Sequence, residues 1–166
     1  MQATSNPTTT ELQQLAREAA LALQAKHLSL ATAESCTGGW IAKVLTDLPG
    51  SSAWFEGGVV AYGYEAKEAF LGVLPQTLEQ HGAVSEETAM EMVSAALARF
   101  GASVAVAVTG IAGPGGGTAD KPVGTVWIAW KRRGGYARAE LCHFDGDREA
   151  VRRQTVARAL QGLTEL

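Results

Sequence analysis

Residues 103–108, Ser-Val-Ala-Val-Ala-Val, constrain the fold of this chain more than any other segment, being small or β-branched on both faces. A strand with one wet face alternates apolar and polar residues, whereas one covered on both faces does not. The segment therefore predicts a central strand with helices above and below it. The surrounding periodicities supply the other elements. Thr10 and Gln13 fit a capping box, and Leu12, Leu15, Ala16, Ala19 and Leu23 then recur at helical spacing over residues 10–25. His27–Thr32 predicts a short strand that runs out at Ala33-Glu34-Ser35, and Trp40, Ile41, Val44, Leu45 and Leu48 restore helical spacing until Pro49-Gly50.

Residues 54–62 predict a second strand, followed by short helices through Lys67 and from Pro75. Ser85 precedes Glu86 and Glu87, an acidic first turn that suits the helix dipole, with Ala89, Met90, Val93, Leu97 and Phe100 as the buried stripe. Residues 123–131 and 136–144 alternate around Arg133-Gly134-Gly135 and predict an antiparallel hairpin. Asp147 caps a last helix with Val151, Val156, Leu160 and Leu163 turned inward. This order predicts a three-layer α/β/α sandwich with a mixed, mostly parallel central sheet and an antiparallel hairpin. Residues 1–9 are expected to be a flexible segment ahead of a single domain over 10–166.

Composition excludes several functions. A hydrophobic share of 46% in 166 residues is enough for one core and too much for a disordered tail. Fourteen basic against 17 acidic residues leave a formal charge of −3, which argues against a nucleic-acid binder. No apolar run approaches the ~20 residues of a membrane span. Cys36 and Cys142 form neither a disulfide framework nor a zinc pattern, so a cytoplasmic protein with reduced thiols is expected. His27, His81 and His143 show no metal spacing and no triad context, so no metal and no histidine base are expected.

The residues that could do chemistry cluster at predicted strand ends. In Glu34-Ser35-Cys36-Thr37-Gly38-Gly39 a hydroxyl, a thiol and a second hydroxyl precede two glycines that open a helix. Such a turn presents a nucleophile beside free backbone N–H groups, although Ser35 or Thr37 could equally be the helix cap. Lys67 follows a strand end and could serve as a base if burial lowered its pKa, or could lie on a solvated helix face. The stretch Thr109-Gly110-Ile111-Ala112-Gly113-Pro114 opens a glycine-rich loop without the ending of a Walker A motif. It reads as an anion site or as a plain surface loop. Arg148 and Arg152 lie one turn apart on the last helix, Arg148 where a cation opposes the dipole. They suit an anionic ligand or pairing with Asp145, Asp147 or Glu149.

Taken in order, Ala-Glu-Ser-Cys-Thr-Gly-Gly, Gly-Gly-Val-Val-Ala-Tyr-x-x-Glu-Ala-Lys, Thr-Gly-Ile-Ala-Gly-Pro-Gly-Gly-Gly, Lys-Pro-Val-Gly-Thr-Val and Gly-Asp-Arg closely resemble the CinA C-terminal-domain family of nicotinamide-nucleotide amidases. The resemblance covers residues 10–163. It implies that fold and hydrolysis of nicotinamide mononucleotide to nicotinic acid mononucleotide and ammonia, with no cofactor. By position it implies Ser35 as nucleophile and Lys67 as base, with Tyr62 and Thr109 in support. Cys36, Thr37, Gly38, Gly39, Gly110, Gly113, Arg148 and Arg152 would line the substrate, and the enzyme would be a homo-oligomer. Gly63-Tyr64 departs from the Ser-Asn that many members carry after the motif tyrosine. The N-terminal domain of longer CinA proteins has no counterpart here, so their pyrophosphatase activity is not expected. A non-catalytic phosphate-binding module and a cysteine amidase using Cys36 are the competing readings.

Overall fold

The computed structural model of the chain describes residues 5–166 and places five strands in one sheet: β1 (Leu30–Glu34), β2 (Phe55–Val60), β3 (Val104–Gly110), β4 (Thr125–Arg132) and β5 (Ala137–His143). The spatial order is β2-β1-β3-β4-β5. β1 runs parallel to both β2 and β3, whereas β3, β4 and β5 pair antiparallel. The expected mixed sheet and hairpin are both present, with two parallel and two antiparallel pairings.

Six helices cover the two faces. α1 (Thr9–Ala25), α2 (Trp40–Thr46) and α6 (Arg148–Leu163) pack on one side; α3 (Tyr64–Leu71), α4 (Pro75–His81) and α5 (Glu86–Phe100) pack on the other. β3 shows why its sequence reads as central. Val104, Val106 and Val108 join Leu23, Ile41, Leu45 and Leu160 in one core, while Ala105 and Ala107 join Met92, Val93 and Leu97 in the other. The larger residues fill the face under α1, α2 and α6; the alanines let α5 approach the sheet closely. Burying each branched side chain contributes about 1.5–3 kcal/mol.

Several local expectations shift. The α1 capping box is Thr8 with Glu11 rather than Thr10 with Gln13: Glu11 N–H donates to Thr8 Oγ1 at 3.1 Å and Thr8 N–H donates to Glu11 Oε2 at 2.6 Å. A carboxylate is a stronger acceptor than the Gln13 amide, and it draws the helix start outward. Of the segment 1–9, residues 1–4 lie outside the described residues, and Thr8 and Thr9 belong to the start of α1. β1 begins at Leu30 rather than His27, because His27 sits in a left-handed turn at φ +53°.

α6 is buried on more sides than one stripe predicts, down to Gln154, Thr155 and Gly162. At Gly162 the helix backbone lies against the Trp130 indole, leaving no room for a Cβ. Trp130 Nε1 donates to Ala159 O at 3.0 Å, so the buried indole N–H is satisfied.

Candidate active site

β1 ends at Glu34, whose register partners Val60 and Val108 bring the ends of β2 and β3 alongside it. From β1 the chain passes through α2 to β2 on one side, and from β3 it continues to β4 on the other. The order of the sheet reverses between β1 and β3, and a crevice at the carboxyl ends of such strands is a favoured ligand site. Ser35 is the first residue beyond β1, and its N–H donates to Val108 O at 3.1 Å. Gly38 at φ +60° and Gly39 at φ +96° then turn the chain through left-handed conformations into α2. Side-chain-bearing residues adopt these at a cost, which explains the glycine pair.

Lys67 reaches this turn from α3. The residue is 1% exposed and Ser35 is 6% exposed. Lys67 Nζ donates to Ser35 Oγ at 2.9 Å, to Tyr62 O at 2.9 Å and to Ala61 O at 3.2 Å. Burial holds the Lys67 ammonium below its ordinary pKa. A neutral amine has two N–H groups and one lone pair. With one N–H to each carbonyl, the lone pair is left for the Ser35 hydroxyl.

Neither Ser35 nor Thr37 caps α2. The cap position is Gly39, which makes no side-chain bond, and the work is done by Glu34. Glu34 Oε1 accepts from Ile41 N–H at 2.8 Å and from Thr37 Oγ1 at 2.6 Å, and Oε2 accepts from Ala42 N–H at 3.0 Å. Burial raises the carboxyl above the usual carboxylate range, while these donors act against the rise. The start of α2 is thus occupied by the chain's own carboxyl group, at the place where Gly38 and Gly39 are expected to meet substrate. Glu34 is not among the residues that motif and spacing single out; its sequence signal is an acidic residue at the end of an apolar strand, immediately before a helix start.

Cys36 is buried, and its thiol is pushed up to about 12, first by desolvation and then by Glu34. Thiolate chemistry at neutral pH is therefore disfavoured there. Arg152 Nε donates to Cys36 O at 3.0 Å and Nη2 to Thr37 O at 3.1 Å, which fixes the turn after Ser35. Its guanidinium lies 5.3 Å from the Trp40 ring centroid. Arg148 Nη2 donates to Tyr62 Oη at 2.7 Å and Nη1 to Gly113 O at 2.8 Å, tying the glycine-rich loop to the end of β2. None of the ion pairs among the described residues includes Arg148 or Arg152, so the expected pairing with Asp145, Asp147 or Glu149 is not made.

Thr109 stands apart from the pair: its hydroxyl donates to Ala83 O at 2.7 Å and holds the segment between α4 and α5. Gly110 is a packing position, where a Cβ would meet Val126. A cleft of about 350 Å³ lies elsewhere, between α1 and α6, lined among others by Pro7, Leu15, Phe144 and Arg158. Among the described residues no helix is long and apolar enough to cross a membrane, and no group of three or more His, Cys, Asp or Glu could hold a metal ion.

The model of the CinA C-terminal domain matches residues 12–166. The chain belongs to this family. Among its relatives, the nicotinamide-nucleotide amidohydrolase PncC of Escherichia coli K12 is 54% identical over 158 residues, covering 94% of each chain. The protein of the same name from Pseudomonas putida is 55% identical over 140 residues, covering 84% of this chain and 87% of that one. The crystal structure of the competence/damage inducible protein CihA from Agrobacterium tumefaciens superposes with a TM-score of 0.91 at 45% identity, covering 96% of each chain. A CinA-superfamily protein from Escherichia coli gives 0.90 at 39% identity, covering 96% of this chain and 94% of that one. The family motifs around Ser35, Lys67 and Arg148 are thus the segments that the fold assembles at one end of the sheet.

Proposed function

We propose that this chain hydrolyses the carboxamide of nicotinamide mononucleotide, giving nicotinic acid mononucleotide and ammonia in pyridine nucleotide recycling. The observation that carries the reading is the buried contact of 2.9 Å between Lys67 Nζ and Ser35 Oγ, in a chain 54% identical to a nicotinamide-nucleotide amidohydrolase. Ser35 Oγ attacks the carboxamide carbon while neutral Lys67 takes its proton. The tetrahedral intermediate collapses to a nicotinyl ester on Ser35, and the Lys67 proton leaves with ammonia. Water, deprotonated by Lys67, then cleaves the ester, and Ser35 recovers its proton.

Backbone N–H groups of the Cys36–Thr37 turn, held through their carbonyls by Arg152, are the donors assigned to the oxyanion. One such donor is worth about 3 kcal/mol. Arg148 is assigned to the 5′-phosphate, because its planar fork matches phosphate oxygens and it has no carboxylate partner among the described residues. Tyr62 and Gly113 carry Arg148; Thr109 supports the strand end from behind. Residues 10–166 act as one amidase domain. Buried free thiols at Cys36 and Cys142 fit a cytoplasmic enzyme, and a homo-oligomer is the proposed assembly.

The test is ammonia release from nicotinamide mononucleotide. The wild type and Cys36→Ala release ammonia at comparable rates, and Ser35→Ala loses about a thousandfold or more while keeping its melting temperature. An inactive Cys36→Ala beside an active Ser35→Ala would reassign the nucleophile. Binding without any ammonia release would make the chain a nucleotide-binding module.

A further inference from the structure

β5 forms one edge of the sheet, and its outward side is unpaired. Arg132 N–H donates to Tyr136 O at 2.8 Å and Phe144 N–H to Gly124 O at 2.9 Å, which fixes the phase of the β4–β5 ladder. Bonded pairs of an antiparallel ladder recur at every second residue. Arg138, Glu140 and Cys142 therefore direct their backbone groups to β4, whereas the N–H and C=O groups of Ala137, Ala139 and Leu141 point away from the sheet. These outward groups have no partner among the described residues. Sheet edges are commonly blunted by a proline, a lysine or a bulge. Ala137–His143 contains no proline and no lysine, and its register with β4 runs without a shift. The opposite edge differs: the pairing of β2 with β1 shifts register after Leu30, and Gly57-Gly58 weakens that strand.

The side chains make this edge complementary to itself. Two antiparallel copies of β5, related by a two-fold axis at Ala139, set Arg138 opposite Glu140 and Ala137 opposite Leu141. In this register the outward residues are the ones that exchange N–H···O=C bonds, Ala139 with Ala139 and Ala137 with Leu141. An axis at Glu140 would instead oppose two carboxylates. Arg138 and Glu140 share the α6 face, where the Arg138 guanidinium lies 4.6 Å from the Trp130 ring centroid and Glu140 pairs with Arg158. Both stay 33% exposed. Of the Arg138 donors only Nη2 is bonded, to Glu165, and Nε has no acceptor among the described residues. A facing carboxylate suits that cation, and cross-strand pairs of opposite charge stabilise a sheet. On the other face Leu141, 44% exposed, would cover Ala137 of the second copy. We infer that β5 is the interface of a symmetric dimer, in which the sheets of two copies join edge to edge. β3 and β4 separate this edge from β1 and the Ser35 turn, so the join leaves the candidate active site clear. The inference rests on the homo-oligomer reading and names its surface.

Sedimentation velocity of the full chain tests this. The wild type sediments as a dimer. Leu141→Lys places a lysine on the edge, and Ala139→Pro removes an outward N–H that the monomer does not use. Each raises the dimer dissociation constant by at least about tenfold. Leu141→Lys changes an exposed side chain and keeps the melting temperature, so it decides the outcome even where Ala139→Pro fails to fold. Oxidative cross-linking reads the register. Ala139→Cys links to a second copy of itself, and Ala137→Cys links to Leu141→Cys when the two variants are mixed. Leu141→Cys alone does not link, because its equivalent lies on the order of 13 Å along the edge, beyond disulfide reach. The wild type, whose Cys36 and Cys142 are buried, is the control. A dimer that Leu141→Lys leaves intact, or cross-links in another register, overturns this interface and leaves the homo-oligomer reading standing. A wild type that is monomeric at about 100 μM overturns both.

Discussion

Lys67 Nζ lies 2.9 Å from Ser35 Oγ, although 32 residues separate the two in the chain. Each is delivered by a strand end: Ser35 follows β1, and Lys67 follows β2 by the single turn that opens α3. The parallel pairing of β1 with β2 places Glu34 opposite Val60, so the two strands end in register and their next residues meet. The proposed hydrolysis of an unactivated amide needs the nucleophile and its proton acceptor in contact, and this register brings the two atoms together.

In the proposed reaction Lys67 acts as a base only when neutral. Its burial-lowered pKa places the acid limb of the pH–rate profile below the ordinary lysine value of about 10.4. On that limb kcat/KM rises about tenfold per pH unit and then levels. Arginine cannot lose its proton, so Lys67→Arg is expected to be as inactive as Lys67→Ala. Stability follows the same shift. Between the folded pKa and about 10.4 the unfolded chain holds the extra proton, so the wild type gains stability with rising pH relative to Lys67→Met. Urea midpoints across that window give the sign directly; a difference that does not change with pH would contradict it.

Arg148→Ala removes the cation assigned to the phosphate. The expected result is a KM for nicotinamide mononucleotide raised about ten- to a hundredfold, with little change for nicotinamide riboside, which lacks the phosphate. A comparable loss with both substrates would assign Arg148 to holding Tyr62 and Gly113 rather than to binding the ligand.

Glu34→Gln keeps the size of the side chain and replaces one acceptor oxygen by an NH2 group. Three donors converge on the two oxygens, so one donor is left facing another. A loss of about 2–3 kcal/mol in urea unfolding is expected, because a buried donor without an acceptor bears its full desolvation cost. Unchanged stability would show that the α2 start does not depend on this carboxylate.

Gly162→Ala sets two effects against each other. Alanine favours a helix interior over glycine by about 1 kcal/mol. A Cβ at this position overlaps the Trp130 indole, and overpacking costs about 1–3 kcal/mol before any weakening of the Trp130–Ala159 hydrogen bond. A net destabilisation of about 1–2 kcal/mol is expected. Chemical denaturation checks it, and a stabilised variant would mean that the indole moves aside freely.

The sequence by itself determined the layered α/β/α architecture and the positions of most elements. Periodicity is a local property: Ser85 and Asp147 cap their helices as their spacing predicts, and the apolar run of β3 is buried on both faces. The ordered motifs likewise mark Ser35, Lys67 and Arg148 through residue identity alone. What the sequence could not determine is partner choice. Glu34 caps α2 from the end of the strand before it, Arg152 grips the Cys36–Thr37 turn from 115 residues away, and Gly162 exists to admit Trp130. Arg148 passes over the neighbouring carboxylates to bind Tyr62 and Gly113. Such choices depend on which groups the sheet register and the two packed layers bring within about 3 Å, and on how far burial strengthens each contact. Spacing along the chain carries neither quantity, so only the tertiary structure decided them.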